Sequence, residues 1–125
     1  VNLSHNDLLS PISRALYALE ITPNQMAYWT MLVAAKAIIE KPMRLTAIRC
    51  ELFPVIEKYT GCSPEAIDSL LRRTSRQMME DESFAPLRAY LPKGATHAPP
   101  VGVFLSMWVR MVEDYMRADW HSKNE

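Results

Sequence analysis

The stretch Thr60-Gly61-Cys62-Ser63-Pro64-Glu65-Ala66-Ile67-Asp68-Ser69-Leu70-Leu71-Arg72-Arg73-Thr74-Ser75-Arg76 decides how the rest of the chain is read. Serine, proline and glutamate in succession supply an N-cap, a residue suited to the first helical position, and an acid at the positive end of the helix dipole. Gly61, just upstream, closes a preceding helix. The pattern predicts a helix from about 64 to 79. Turned at roughly 100° per residue, it gathers Ile67, Leu70, Leu71, Thr74 and Met78 on one side. Glu65, Ser69, Arg72, Arg73 and Arg76 fall on the other.

Working back from this segment, Thr46 is placed to cap a helix carrying Ile48, Leu52, Val55, Ile56 and Tyr59, with Pro54 inside it bending the axis. Before that, a helix from about Asn24 to Glu40 stops at Pro42 and leaves little polar face, so it reads as the central buried helix. A first helix opens at Ser4 and ends near Glu20, before the turn chemistry of Thr22-Pro23-Asn24. Working forward, Glu80-Asp81-Glu82 put acids where a helix end prefers cations, which predicts fraying there. A short helix follows at 84–91, then a loop at 92–100. The last helix, from about 100 to 120, carries a stripe of Phe104, Met107, Trp108, Met111, Val112 and Tyr115. The fold class is all-α, five to six helices around a central buried helix. The chain reads as one domain spanning 1–125, with a helix-turn-helix at about 46–79.

Composition agrees. Three glycines in 125 residues disfavour tight β-hairpins, while 49% hydrophobic residues support a core. Fourteen basic and fourteen acidic side chains cancel, so affinity for nucleic acid cannot rest on bulk charge. It can rest on local charge: residues 36–79 hold eight basic residues against five acidic, a net +3. The longest apolar run, Met31 to Ala35, is far below a membrane span. Two cysteines, Cys50 and Cys62, are too few for a disulfide scaffold, and a reducing cytoplasm is the simplest location. The scattered His5, His97 and His121 lack metal-ligand spacing. No glycine-flanked nucleophile or phosphate-cradling loop is present, so neither an enzyme nor a cofactor is expected.

An arginine-bearing face opposite an apolar stripe is commonly no more than a solvated surface. A recognition helix needs the same arrangement, greasy on one side and lined with long donors on the other. A resemblance favours the second reading. Leu19-Glu20-Ile21-Thr22-Pro23 resembles the Leu-Gly-Val-Pro turn of the C-terminal DNA-binding effector domain of the stage-zero sporulation response regulator family. Tyr28, the run Leu32 to Ala35 with Ala37-Ile38, and Leu52-Phe53-Pro54-Val55-Ile56-Glu57-Lys58-Tyr59 are similar to later motifs of that family. Ser63 to Met79 aligns with its recognition helix, and Thr96 to Met111 with its closing segment. The likeness spans roughly residues 12–118.

The resemblance implies a sequence-specific regulator of transcription that binds double-stranded DNA. It places the base- and phosphate-contacting stretch Glu-Arg-Ala-Ile-Arg-His on Asp68, Ser69, Leu70, Leu71, Arg72 and Arg73. Ser69 replaces a guanine-reading arginine, Ala66 another arginine, and His97 and Pro99 replace lysines. Glu80–Glu82 add repulsion for phosphates, and Arg76 adds a donor that the family lacks. The expected interface is Glu65, Asp68, Ser69, Arg72, Arg73 and Arg76 on bases and phosphates, with Lys41, Arg44 and Lys58 positioning phosphates. Valine at position 1 fits a fragment, and the resemblance implies a receiver domain upstream, with pairing or homodimers on tandem sites. Two other readings stand beside this one: a protein-interaction module that keeps the fold without specific DNA binding, and a helical small-molecule sensor. The aromatic stripe of the last helix serves either as core or as a self-association surface.

Overall fold

A computed structural model describes residues 5–123, with side chains described from 9 to 120. Among the described residues the chain is all-helical, with no strand and six α-helices. They are α1 (His5–Ala18), α2 (Met26–Glu40), α3 (Phe53–Thr60), α4 (Pro64–Glu80), α5 (Ala85–Arg88) and α6 (Val101–Lys123). The expected cap at Ser4 lies outside the described residues.

The core is built where α1, α2, α4 and α6 meet. Trp108 of α6 is fully buried, and its indole N–H donates to the Met31 carbonyl of α2 at 2.8 Å, so the largest core side chain leaves no polar atom unpaired. Phe104, Met107, Met111 and Val112 are buried beside it, and Tyr115 is half-buried. The stripe of the last helix is therefore core, and it is not available for self-association. Arg14 of α1 pairs with Asp119 of α6 and lies over the Tyr115 ring, 5.5 Å from its centroid, tying α1 to α6.

Helix α2 buries Tyr28, Thr30, Met31, Ala34, Ala35, Ala37 and Ile38 against α1, α3, α4 and α6. Its other edge is open: Met26 is 47% and Trp29 46% exposed, which corrects the expectation of a helix covered almost all round. The reason is polar. The Trp29 indole donates to the Pro23 carbonyl at 2.8 Å and stands edge-on to Tyr28, away from the core.

The segment expected as one helix from Thr46 is in fact two contiguous pieces, with a short turn ahead of them. A 3₁₀ turn covers Pro42–Thr46, a wide π-type turn covers Ile48–Leu52, and α3 starts only at Phe53. Thr46 caps nothing ahead of it; its hydroxyl donates back to Met43 O at 2.7 Å. Pro54 is the physical cause. It has no N–H and its ring needs room from the preceding turn, so it sits in the first turn of α3 rather than in a bent helix interior.

Helix α1 ends with the Ile21 N–H bonded to Leu16 O at 3.0 Å and Glu20 in the left-handed region at φ 58°. An L side chain there is strained, and glycine is the usual occupant.

Candidate nucleic-acid interface

Helix α4 is set up locally at its N-terminal end. Gly61 (φ 76°) terminates α3, its N–H bonded to Glu57 O at 2.8 Å. Thr60 Oγ1 donates to Ile56 O at 2.8 Å and accepts from the Cys62 N–H at 3.2 Å. Ser63 then accepts from the Ala66 N–H at 3.2 Å, as the sequence predicts. Ile67, Leu70, Leu71, Thr74 and Met78 are buried, joined by Ser75, whose hydroxyl donates to Pro99 O at 2.7 Å and pins the 92–100 loop to α4. Glu65, Ser69, Arg72, Arg73 and Arg76 are exposed on the opposite side.

The electrostatics of that outer face centre on Asp68, which is half-buried. Its Oδ2 accepts from Arg72 Nε at 2.8 Å and lies 3.7 Å from Arg49 Nη2. The contact fixes Arg72 by its Nε and leaves its terminal nitrogens without a hydrogen bond among the described residues. Arg49 also lies over the Phe53 ring, 5.9 Å from its centroid. Arg49 is the member of this face that the sequence reading left without a role. Its signal was weak, because only the wide turn at 48–52 brings it beside α4. Arg73 and Arg76 make no ion pair among the described residues.

The acidic run is not a uniform wall. Arg88 Nη1 donates to Met78 O and Asp81 O, each at 2.7 Å, supplying the cation that the end of α4 lacks. The helix ends at Glu80, close to the expected end at about Met79. Asp81 turns back to accept from the Ser83 N–H at 2.9 Å and from Gln77 Nε2 at 3.1 Å. These bonds, that from the Ser83 backbone first, hold its carboxyl below the usual aspartate value. Glu82 lies 3.5 Å from Arg88, and Glu80 remains exposed.

The three residues expected to position phosphates are placed differently. Arg44 is turned inward: Nη1 donates to Ala37 O at 2.7 Å and Nε is buried with no hydrogen-bond partner. Its guanidinium closes the end of α2, while the side chain stays partly exposed. Lys41 lies 3.6 Å from Glu51, with both side chains about half exposed. Lys58 is exposed on α3 and, with Arg44, lines a groove against α2 whose walls include no residue of α4. His97 is exposed, and Pro99 is engaged by Ser75.

Among the described residues no group of three His, Cys, Asp or Glu side chains converges as a metal site, and no helix is long and apolar enough to cross a membrane. Cys50 is exposed and Cys62 half-buried, both as free thiols. The outer face of α4 can therefore present several guanidinium donors on a rigid helix. Comparison with protein-family models, with curated proteins and with solved structures gives no match.

Proposed function

We propose that the chain is a sequence-specific DNA-binding regulator of the sporulation-effector type, with α3 and α4 acting as a helix-turn-helix and α2 as the helix on which they are mounted. The observation that carries this reading is the exposed row Arg72, Arg73 and Arg76 on a helix whose opposite face is fully committed to the core. Asp68 supports it by holding Arg72 through Nε, so the two terminal nitrogens can meet the O6 and N7 acceptors of a guanine. Arg49 extends the basic face, while Ser69 and Glu65 complete the surface toward bases. A second support is Glu20. Its left-handed backbone is one that favours glycine, and glycine is what the resembled motif carries there.

Selection from a randomised duplex pool tests the reading. An enriched motif is expected, with a slope of log K against log salt of about −3.6 if four phosphates are contacted. Arg72→Ala should cost about 1–3 kcal/mol and relax preference at one base pair. Arg73→Ala and Arg76→Ala should weaken binding and reduce the salt slope. The pairing of Asp68 with Arg72 and Arg49, together with exposed Glu80, favours one alternative: a protein-interaction module without specific DNA binding. A pool with no enriched sequence, bound equally well by the Arg72→Ala/Arg76→Ala variant, selects that alternative and ends the first.

A further inference from the structure

The open edge of α2 faces α3 across two adjoining hollows of about 530 Å³ and 710 Å³, which share Leu32, Val33 and Tyr59. At one end stand Met26 and Trp29, each nearly half exposed, and Tyr59 is 68% exposed between the hollows. At the other end the walls carry Lys36, Arg44 and Lys58 against a single acid, Glu40, which is already bonded to Lys36 at 3.1 Å. Lys58 has no ion pair among the described residues, and Arg44 keeps a buried Nε with no acceptor. The surface is therefore apolar at one end and cationic at the other, with the Lys58 ammonium unpaired among the described residues at the cationic end.

We propose that this groove docks an acidic amphipathic helix of a partner protein. The charge selects the sign of the ligand: with Lys36 and Glu40 paired to each other, Arg44 and Lys58 leave the walls net positive, which favours carboxylates and would repel a basic helix. The shape selects the class. Small ligands have most of their surface buried, whereas aromatic walls this exposed would leave such a ligand largely in water. The 15 residues of α2 give a track about 22 Å long, enough for a helix of three to four turns with anchors at i, i+4 and i+7. Such a helix would lay its apolar anchors on Leu32, Val33 and Tyr59 and bring its acids to Lys58 and Arg44. The groove uses none of the α4 arginines, so the proposal stands apart from the DNA-binding reading.

A phage-displayed library of helical peptides tests it, with leucine, isoleucine, phenylalanine or tryptophan at the anchor positions and flanking positions randomised among glutamate, lysine and alanine. Panning against the full chain should enrich glutamate at one end of the peptides. Titrated into the ¹⁵N-labelled protein, the enriched peptide should shift the amides of Leu32, Val33 and Tyr59. Its glutamate-to-lysine counterpart should bind about tenfold more weakly, and Lys58→Glu should reverse that preference. Tyr59→Ala, at an exposed position that leaves the fold intact, should weaken both peptides, whereas Arg73→Ala/Arg76→Ala should leave them unchanged. The proposal is overturned by enrichment without acidic bias, by no enrichment, by shifts confined to α4, or by peptide-free self-association that shifts the groove amides.

Discussion

Helices α2 and α4 face the same problem at their C-terminal ends and resolve it unequally. Neither has a basic residue in its last turn, and each receives an arginine from further along the chain. For α4, Arg88 bonds two carbonyls through Nη1 and has Glu82 beside Nη2 at 3.5 Å, so both groups of the joint are satisfied. For α2, Arg44 bonds one carbonyl, and its Nε is buried without a partner. A desolvated donor with nothing to bond is costly to retain. The contrast separates a joint whose carbonyls are bonded from one that keeps a donor buried and unbonded beside an open groove.

The largest effect should come from Arg88. Arg88→Met takes the guanidinium from Met78 O and Asp81 O, of which Asp81 O keeps the Phe84 N–H at 3.0 Å, and should cost about 2 kcal/mol in urea unfolding. Glu20→Gly at the α1 terminus, where the strain is in the backbone rather than in an unpaired group, should gain about 1 kcal/mol by the same measurement. Arg44→Met should cost only about 0.5 kcal/mol, because the lost bond to Ala37 O is offset by removal of the buried unpartnered Nε. A loss as large as that of Arg88→Met would erase the distinction between the two joints. The smallest effect belongs to Asp81. With its pKa lowered by folding, its contribution is complete above the unfolded value of about 3.9 and disappears as pH falls through the folded value. Asp81→Asn should therefore lower the thermal midpoint slightly at neutral pH and flatten the acid side of the profile, the difference from the parent chain vanishing as pH falls below about 4.

These contrasts also mark how far the amino-acid order could be read. The start of α4 was legible because Ser63, Pro64 and Glu65 act on backbone groups within three residues of themselves. Its two faces were legible because helical periodicity alone sorts Leu70 and Leu71 from Arg72 and Arg73. What holds the end of α4 was not, since its stabilising cation lies seven residues beyond Asp81 and only the turn through 82–88 brings it back. Hydropathy marked Trp29 as core, yet a carbonyl in the preceding turn claims its N–H and holds the ring at the surface. Arg44 and Arg49 look alike as exposed positive charges in a linear string. Tertiary geometry sends one inward to Ala37 and brings the other alongside Asp68.

The wide turn at Ile48–Leu52 works as a spacer in the chain's angular register. A π-type turn amounts to one residue more than a regular helix would hold, so everything before it is rotated by roughly 100° relative to everything after it. Excising a single residue there would swing the Arg49 guanidinium away from the carboxylate on α4 and press the Pro54 ring into the backbone ahead of it. A one-codon deletion would thus redraw the positive outline of the molecule and at the same time displace Leu52, which is fully buried, and Ile48, which packs on the core.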